Sequence, residues 1–388
     1  MITKDHPAFR KYSLLQFLLG RSLSAVSTLI PKNNRKILFF SEPDFSDNAK
    51  FLYYKMIDMG LDQSFDLIWA VRSEAKGKFI RRRPHSLPYI YHLLTAKYLI
   101  STNEIPYWKS SNQVTVLLWH GFPGKDENSN TKVGQFIRRT MLRRIDHLIV
   151  TSPLGGVLFR SKFHLSPHKI SVLGEPRCDA LFNNKQRAGA ALERVLGESI
   201  NGRRLILYLP TWREYDTRAT PGLLKSLLDS EGYIRFLRDS RSLFLFKPHI
   251  YEETLFAEGK TENTRIITNH ALQALDLTLY DFLGAVDVLV TDYSSVGRDY
   301  LLLNRPIVFY VPDLEEYRQK RGFLLEPYEL WSPGDMADTP EKLIWAIQEA
   351  IKNPSKWEKE RTWLRDLMFA HKDGESSRRI INSFWSAA

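Results

Sequence analysis

Ala285 to Pro312 reads AVDVLVTDYSSVGRDYLLLNRPIVFYVP, and its spacing sets the fold class. The run Asp287–Thr291 is β-branched and apolar, the pattern of a strand buried on both faces. Asp292, Ser294 and Ser295 follow, short polar side chains of the kind that stop a strand and cap a helix. Val296–Leu303 reads as a short helix ended by Asn304 and Pro306, and Ile307–Tyr310 begins a second buried strand. Such a strand–turn–helix–strand aims backbone N–H groups at whatever lies beyond the first strand. With two hydroxyls and no bulky side chain in the turn, the natural occupant is a phosphate. Any βαβ crossover also needs a capped helix, so other segments must decide between binding and plain packing.

The chain has 388 residues, room for two α/β domains, and 43% hydrophobic against 26% charged residues marks it as globular. A single cysteine, Cys178, excludes a disulfide framework and fits a reducing compartment. Met1–Arg10 is polar without a cleavage pattern, so no signal peptide is expected. The charge is uneven. Residues 1–200 carry 30 basic and 16 acidic side chains, a net of +14, whereas residues 201–388 carry 25 and 28, a net of −3. So basic a half calls for an anionic partner. No helix-turn-helix, zinc-finger or RRM signature supports nucleic acid. An anionic membrane surface is the expected partner instead.

Phe9–Ile30 mixes Leu and Phe with Arg10, Lys11 and Arg21 in apolar runs too short to span a bilayer. It reads either as an interfacial helix or as an amphipathic helix packed on its domain. Lys36–Phe40, Phe65–Val71, Ala96–Ser101, Val114–Trp119, Asp146–Thr151 and Ile170–Leu173 read as strands alternating with helices, hence a parallel sheet. The clusters Arg81-Arg82-Arg83 and Arg138-Arg139…Arg143-Arg144 are read outside the strands. They are either solvated faces or a membrane-facing surface, and the local charge excess favours the second. Val114–Trp119 ends in His120-Gly121-Phe122-Pro123-Gly124, which sets a histidine where open α/β sheets collect ligands. Gly174-Glu175-Pro176-Arg177-Cys178-Asp179 presents one arginine, either a pyrophosphate anchor or a surface partner of Asp179.

Lys185–Asn201 reads as a helix leading out of the first domain, so the expected domains are 1–185 and 186–388, with the last helix free to cross back. Strands at Arg204–Leu209 and Leu243–Phe246 end in Thr211-Trp212-Arg213 and Lys247-Pro248-His249, and a short one covers Arg265–Thr268. With Asp292–Ser295, three strand ends then carry phosphate-seeking groups to one sheet edge, which packing alone does not explain. No metal-ligand spacing, P-loop or Gly-x-Ser-x-Gly elbow occurs, and no metal is expected.

Together these motifs resemble the CDP-glycerol glycerophosphotransferase family of teichoic acid synthesis. That family's Trp-His-Gly-Thr-Pro loop, Gly-Tyr-Pro-Arg-Asn-Asp loop, Pro-Thr-Trp-Arg and Lys-Leu-His strand ends and Thr-Asp-Tyr-Ser-Ser turn with a following Asp match, in order, Trp119–Pro123, Gly174–Asp179, Pro210–Arg213, Lys247–His249 and Thr291–Ser295 with Asp299. Departures are Phe122 for Thr, Gly124 for Leu, Glu175 for Tyr, Cys178 for Asn and Pro248 for Leu. The resemblance implies a GT-B fold, two Rossmann-like domains with the active site in the cleft between them. It implies CDP-glycerol as donor, no further cofactor, and a polyprenyl-diphosphate-linked glycan as acceptor, reached from the cytoplasmic face of the membrane by a peripheral enzyme. His120 is the expected base; His249, Arg177 and the Ser294/Ser295 turn are expected to stabilise the pyrophosphate, and Asp299 to meet glycerol hydroxyls. Trp119, Gly121, Phe122, Pro123, Thr211, Trp212, Arg213, Lys247 and Pro248 complete the expected CDP-glycerol site. The little sequence outside the core resembles the short enzymes that add a first glycerol phosphate. A CDP-ribitol donor, or a non-catalytic nucleotide-binding membrane partner, are the rival readings; both histidines argue against the latter. Oligomeric state is not specified.

Overall fold

The computed structural model describes residues 24–71, 79–81, 86–103, 109–124, 140, 142–200, 202–213, 219–250, 252–256 and 262–385. The chain divides into two compact units, one of residues 1–122, 129–179 and 369–388, the other of 123–128 and 180–368.

The first unit holds a seven-stranded parallel sheet. Its strands are β1 (Asn33–Phe40), β2 (Asp66–Val71), β3 (Phe79–Arg81), β4 (Ala96–Ser101), β5 (Val114–Leu117), β6 (His147–Val150) and β7 (Ile170–Val172), in the order β3-β2-β1-β4-β5-β6-β7. The apolar runs become the central strands because both faces are covered: Ile37, Leu38 and Phe39 of β1 are all fully buried. The order reverses between β1 and β4, where open α/β sheets form their ligand crevice. The helix Ser376–Phe384 belongs to this unit, and Ile380 and Ile381 pack into the same core as Ile37, Phe39 and Trp69. Each isoleucine contributes about 1.5–3 kcal/mol by burial.

Asp179 starts that helix. Its carboxylate accepts from Ser376 N and Ser377 N, both at 2.8 Å, and burial pushes its titration up although those bonds pull it down. Gly174 has φ +88°, and a Cβ there would lie 2.4 Å from Ser376 Oγ, so only glycine fits.

The second unit holds a six-stranded parallel sheet. Its strands are β8 (Arg204–Leu209), β9 (Ser242–Phe246), β10 (Thr264–Ile266), β11 (Val288–Thr291), β12 (Ile307–Tyr310) and β13 (Asp335–Ala337), in the order β10-β9-β8-β11-β12-β13. The reversal falls between β8 and β11. The segment after β11 is a four-residue α-helix, Val296–Asp299, tightening into a 3₁₀ turn over Tyr300–Leu303. Leu227, Phe244, Phe246, Val290 and Val308 are fully buried in the core around this sheet.

Two three-residue edge strands, β3 and β13, go beyond the strands read from sequence. Arg81 ends β3, which corrects its expected place outside the strands; pairing of residues 79–81 with 69–71 draws it into the ladder. Among the described residues no helix is long and apolar enough to cross a membrane. Residues 24–28 are helical, and the rest of the apolar-basic segment, 9–23, lies outside the described residues.

Candidate active site

In the second unit the ends of β9, β8 and β11 are sheet neighbours, so the three expected motifs fall side by side. Asp292 is fully buried and does not cap the following helix. It accepts from Thr211 N at 2.9 and 3.0 Å and from Arg213 Nη1 at 2.9 Å, tying the end of β11 to the end of β8. Arg213 also donates to Asp313 through Nε at 2.6 Å and Nη2 at 2.9 Å, and through Nη1 to its own loop at Thr211 O, 2.8 Å. Burial alone would lower its titration, but Asp292 and Asp313 hold the guanidinium well above its ordinary value. Flanked by two carboxylates, Arg213 organises the turn.

That bracing leaves Ser294 and Ser295 half-exposed at the turn. Ser294 Oγ accepts from Val296 N at 3.4 Å, and the Ser295 side chain caps nothing. The Trp212 and His249 rings stack at 6.0 Å with 16° between planes. Pro248 is buried between Lys247 and the half-buried His249. Lys247 is buried, with Nζ donating to Asn269 Oδ1 at 2.9 Å; burial pulls its titration down to about 8, Glu253 opposing. An anion arriving beside it would raise that titration again and hold the ammonium charged. Asp299 is fully buried and accepts from the Tyr280 hydroxyl.

In the first unit, β5 delivers His120. A backbone carbonyl only accepts, so the 3.2 Å contact from His120 Nδ1 to Thr102 O puts the proton on Nδ1 and leaves Nε2 as the basic nitrogen. Trp119, at φ +58°, lies flat on the imidazole, 4.7 Å between centroids and 18° between planes. Gly121 follows at φ +129°, a conformation glycine alone adopts readily, and Phe122 is buried against Gly155. Pro123 and Gly124 belong with the second unit, where Gly124 O accepts from Leu324 N at 3.1 Å.

Arg177 lies in the 3₁₀ helix Pro176–Phe182 and meets Asp47 and Glu175 rather than Asp179. It is buried, with Nη1 on Asp47 Oδ1 at 2.9 Å and Nη2 on Glu175 Oε2 at 3.0 Å. Two carboxylates flank the cation, and through them Arg177 braces its turn. Asn48 completes the brace, accepting from Arg177 N at 3.0 Å and donating to Trp119 O at 3.0 Å. Of the basic clusters, Arg82, Arg83, Arg138 and Arg139 lie outside the described residues, Arg143 is exposed, and Arg144 is half-buried on Ser24 Oγ.

Asn48 and Arg298 were missed by sequence reasoning. Arg298 sits in the helix after the serine turn, buried, with an unpartnered Nε. Next to Asp299 it reads from sequence as an ordinary charged pair.

The family model for CDP-Glycerol:Poly(glycerophosphate) glycerophosphotransferase matches residues 22–386. The teichoic acid poly(glycerol phosphate) polymerase of Bacillus spizizenii is 30% identical over 396 residues, covering 96% of this chain and 95% of that protein. The teichoic acid ribitol-phosphate primase of the same species is 26% identical, covering 96% of this chain and 97% of that protein. The solved structure of the wall teichoic acid polymerase TagF matches with a TM-score of 0.77 at 22% identity over 97% of both chains. That likeness carries the fold, which is GT-B. With ordered motifs at strand ends of two parallel α/β units and a family match over nearly the whole chain, the protein belongs to the CDP-glycerol:poly(glycerophosphate) glycerophosphotransferase family of teichoic acid synthesis.

Proposed function

We propose that this protein moves glycerol phosphate from CDP-glycerol to a hydroxyl of a polyprenyl-diphosphate-linked glycan and releases CMP. The observation that carries the reading is the row of Thr211–Trp212, Lys247–His249 and Ser294–Ser295 at three neighbouring strand ends beside a sheet reversal. The acceptor oxygen attacks the glycerol-bearing phosphorus and the bond to the CMP phosphate breaks. The acceptor proton passes to His120 Nε2, and CMP leaves with the negative charge. His249, Lys247 and the serine hydroxyls stabilise the charge that builds on the phosphates.

CMP release from a panel of CDP-activated polyols with a lipid-linked disaccharide tests the proposal. Turnover with CDP-ribitol alone would replace the donor, and no CMP from any donor would remove the enzymatic reading. Ser294→Ala with Ser295→Ala is expected to weaken CDP binding at least about tenfold while changing stability by less than about 1 kcal/mol. Unchanged CDP affinity by calorimetry would sink the phosphate role of this turn.

The cytoplasmic membrane face is part of the proposal, motivated by the net +14 of residues 1–200. Each basic residue near an anionic surface contributes about 1 kcal/mol, and the attraction fades over roughly 8 Å in physiological salt. The protein is expected to sediment with liposomes containing anionic lipid and to be released by high salt. Equal retention on purely zwitterionic liposomes would refute this.

A further inference from the structure

We propose that Arg298 is a phosphate-binding residue of the second unit, holding a phosphate or diphosphate group beside Ser294 and Ser295; as a part of donor binding, it rests on the reading above. Arg298 is 9% exposed, on the short helix that follows the serine turn. Its Nε is enclosed without a hydrogen-bond partner, and its side chain enters no ion pair among the described residues. The neighbouring carboxylate, Asp299, accepts from Tyr280. A guanidinium does not shed its proton inside a protein, so a buried one without an anion is costly. Burial pulls its titration below the ordinary value, and Tyr328 and Asp299 oppose this only in part. A bound anion would remove the cost.

The surroundings leave space for one. A Cβ built on Gly124 would lie 3.9 Å from Arg298 Nη2, so the guanidinium faces backbone that carries no side chain. A larger side chain at Gly124 would extend into that space. The platform beneath is tight: a Cβ on Gly297 would lie 3.1 Å from Thr291 Cγ2, which seats the helix on β11. Gly297 N donates to Ser294 O at 3.2 Å and Arg298 N to Ser295 O at 2.9 Å, so a single turn joins the serines to the arginine. A rigid fork of N–H donors with two hydroxyls beside it suits a tetrahedral oxyanion better than a neutral polyol.

The test is calorimetric titration of the wild-type protein, Arg298→Met and Arg298→Lys with inorganic pyrophosphate and with CDP at matched ionic strength, alongside melting curves without ligand. The methionine variant is expected to bind both about 10- to 100-fold more weakly, with the lysine variant in between. Unliganded Arg298→Met is expected to melt at or above the wild-type temperature, because an unpaired buried charge is gone. A structural arginine would give the opposite: a lower melting temperature with unchanged affinities, which overturns the proposal. So does a wild-type protein that binds no pyrophosphate. Arginine-dependent pyrophosphate binding without CDP binding keeps Arg298 as an anion residue and removes the donor reading. CDP binding untouched by Arg298→Met removes Arg298 and keeps the donor. Should the methionine variant not fold, weaker pyrophosphate binding by Arg298→Lys at a near-normal melting temperature carries the test, and unchanged binding refutes it.

Discussion

Replacing His120 with alanine is expected to lower the rate of CMP release by about 10²–10⁴-fold, the usual worth of a positioned general base. The geometry behind the number is local. Nδ1 is committed to Thr102 O at 3.2 Å, so a neutral imidazole can only offer Nε2 to an acceptor hydroxyl. Stacking on Trp119 at 4.7 Å fixes the ring plane. The hydrogen bond to Thr102 O and the ring contact with Trp119 are worth about 1 kcal/mol each, so the melting temperature should move little. Single-turnover kinetics with CDP-glycerol, read beside a thermal melt, separate the two effects. A near-normal rate in the variant would strip His120 of the base role.

The second large effect concerns stability. Arg213→Met leaves Asp292, fully buried, and Asp313, mostly buried, without their shared cation. Breaking such a buried network from one side costs about 3–5 kcal/mol, mostly as the penalty of the uncompensated carboxylates. Denaturant unfolding should show that loss, and Asp292→Asn added to Arg213→Met should recover part of it. A single variant within 1 kcal/mol of wild type would mean the pair network is not what braces the serine turn. The reaction would suffer too, through misplacement of Ser294 and Ser295.

The central strands were legible because burial on both faces writes itself as an apolar run. Arg204–Leu209, Ala96–Ser101 and Ile307–Tyr310 fall on β8, β4 and β12. Phe79–Arg81 and Asp335–Ala337 were not, since a short edge strand is made by its neighbour's hydrogen bonds and carries little pattern of its own. The bracing of Arg177 and Arg213 was not legible, because Asp47 and Asp313 lie 130 and 100 residues away in sequence. Arg298 was not legible either. Beside Asp299 it suggests a solvated pair, while the fold turns the aspartate to Tyr280 and leaves the arginine buried.

The return of residues 369–385 to the first unit sets an order of events during synthesis. Everything the second unit needs, 123–128 and 180–368, leaves the ribosome before Ile380, Ile381 and Trp385 do. At ordinary elongation rates the 189 residues of 180–368 take roughly 10 to 40 s. Throughout that interval the first unit's core lacks its closing side chains, and Asp179 waits for the helix it caps. The half of the protein made first is therefore the half finished last, and until then its β1 and β2 core face is open to chaperones and to neighbouring chains.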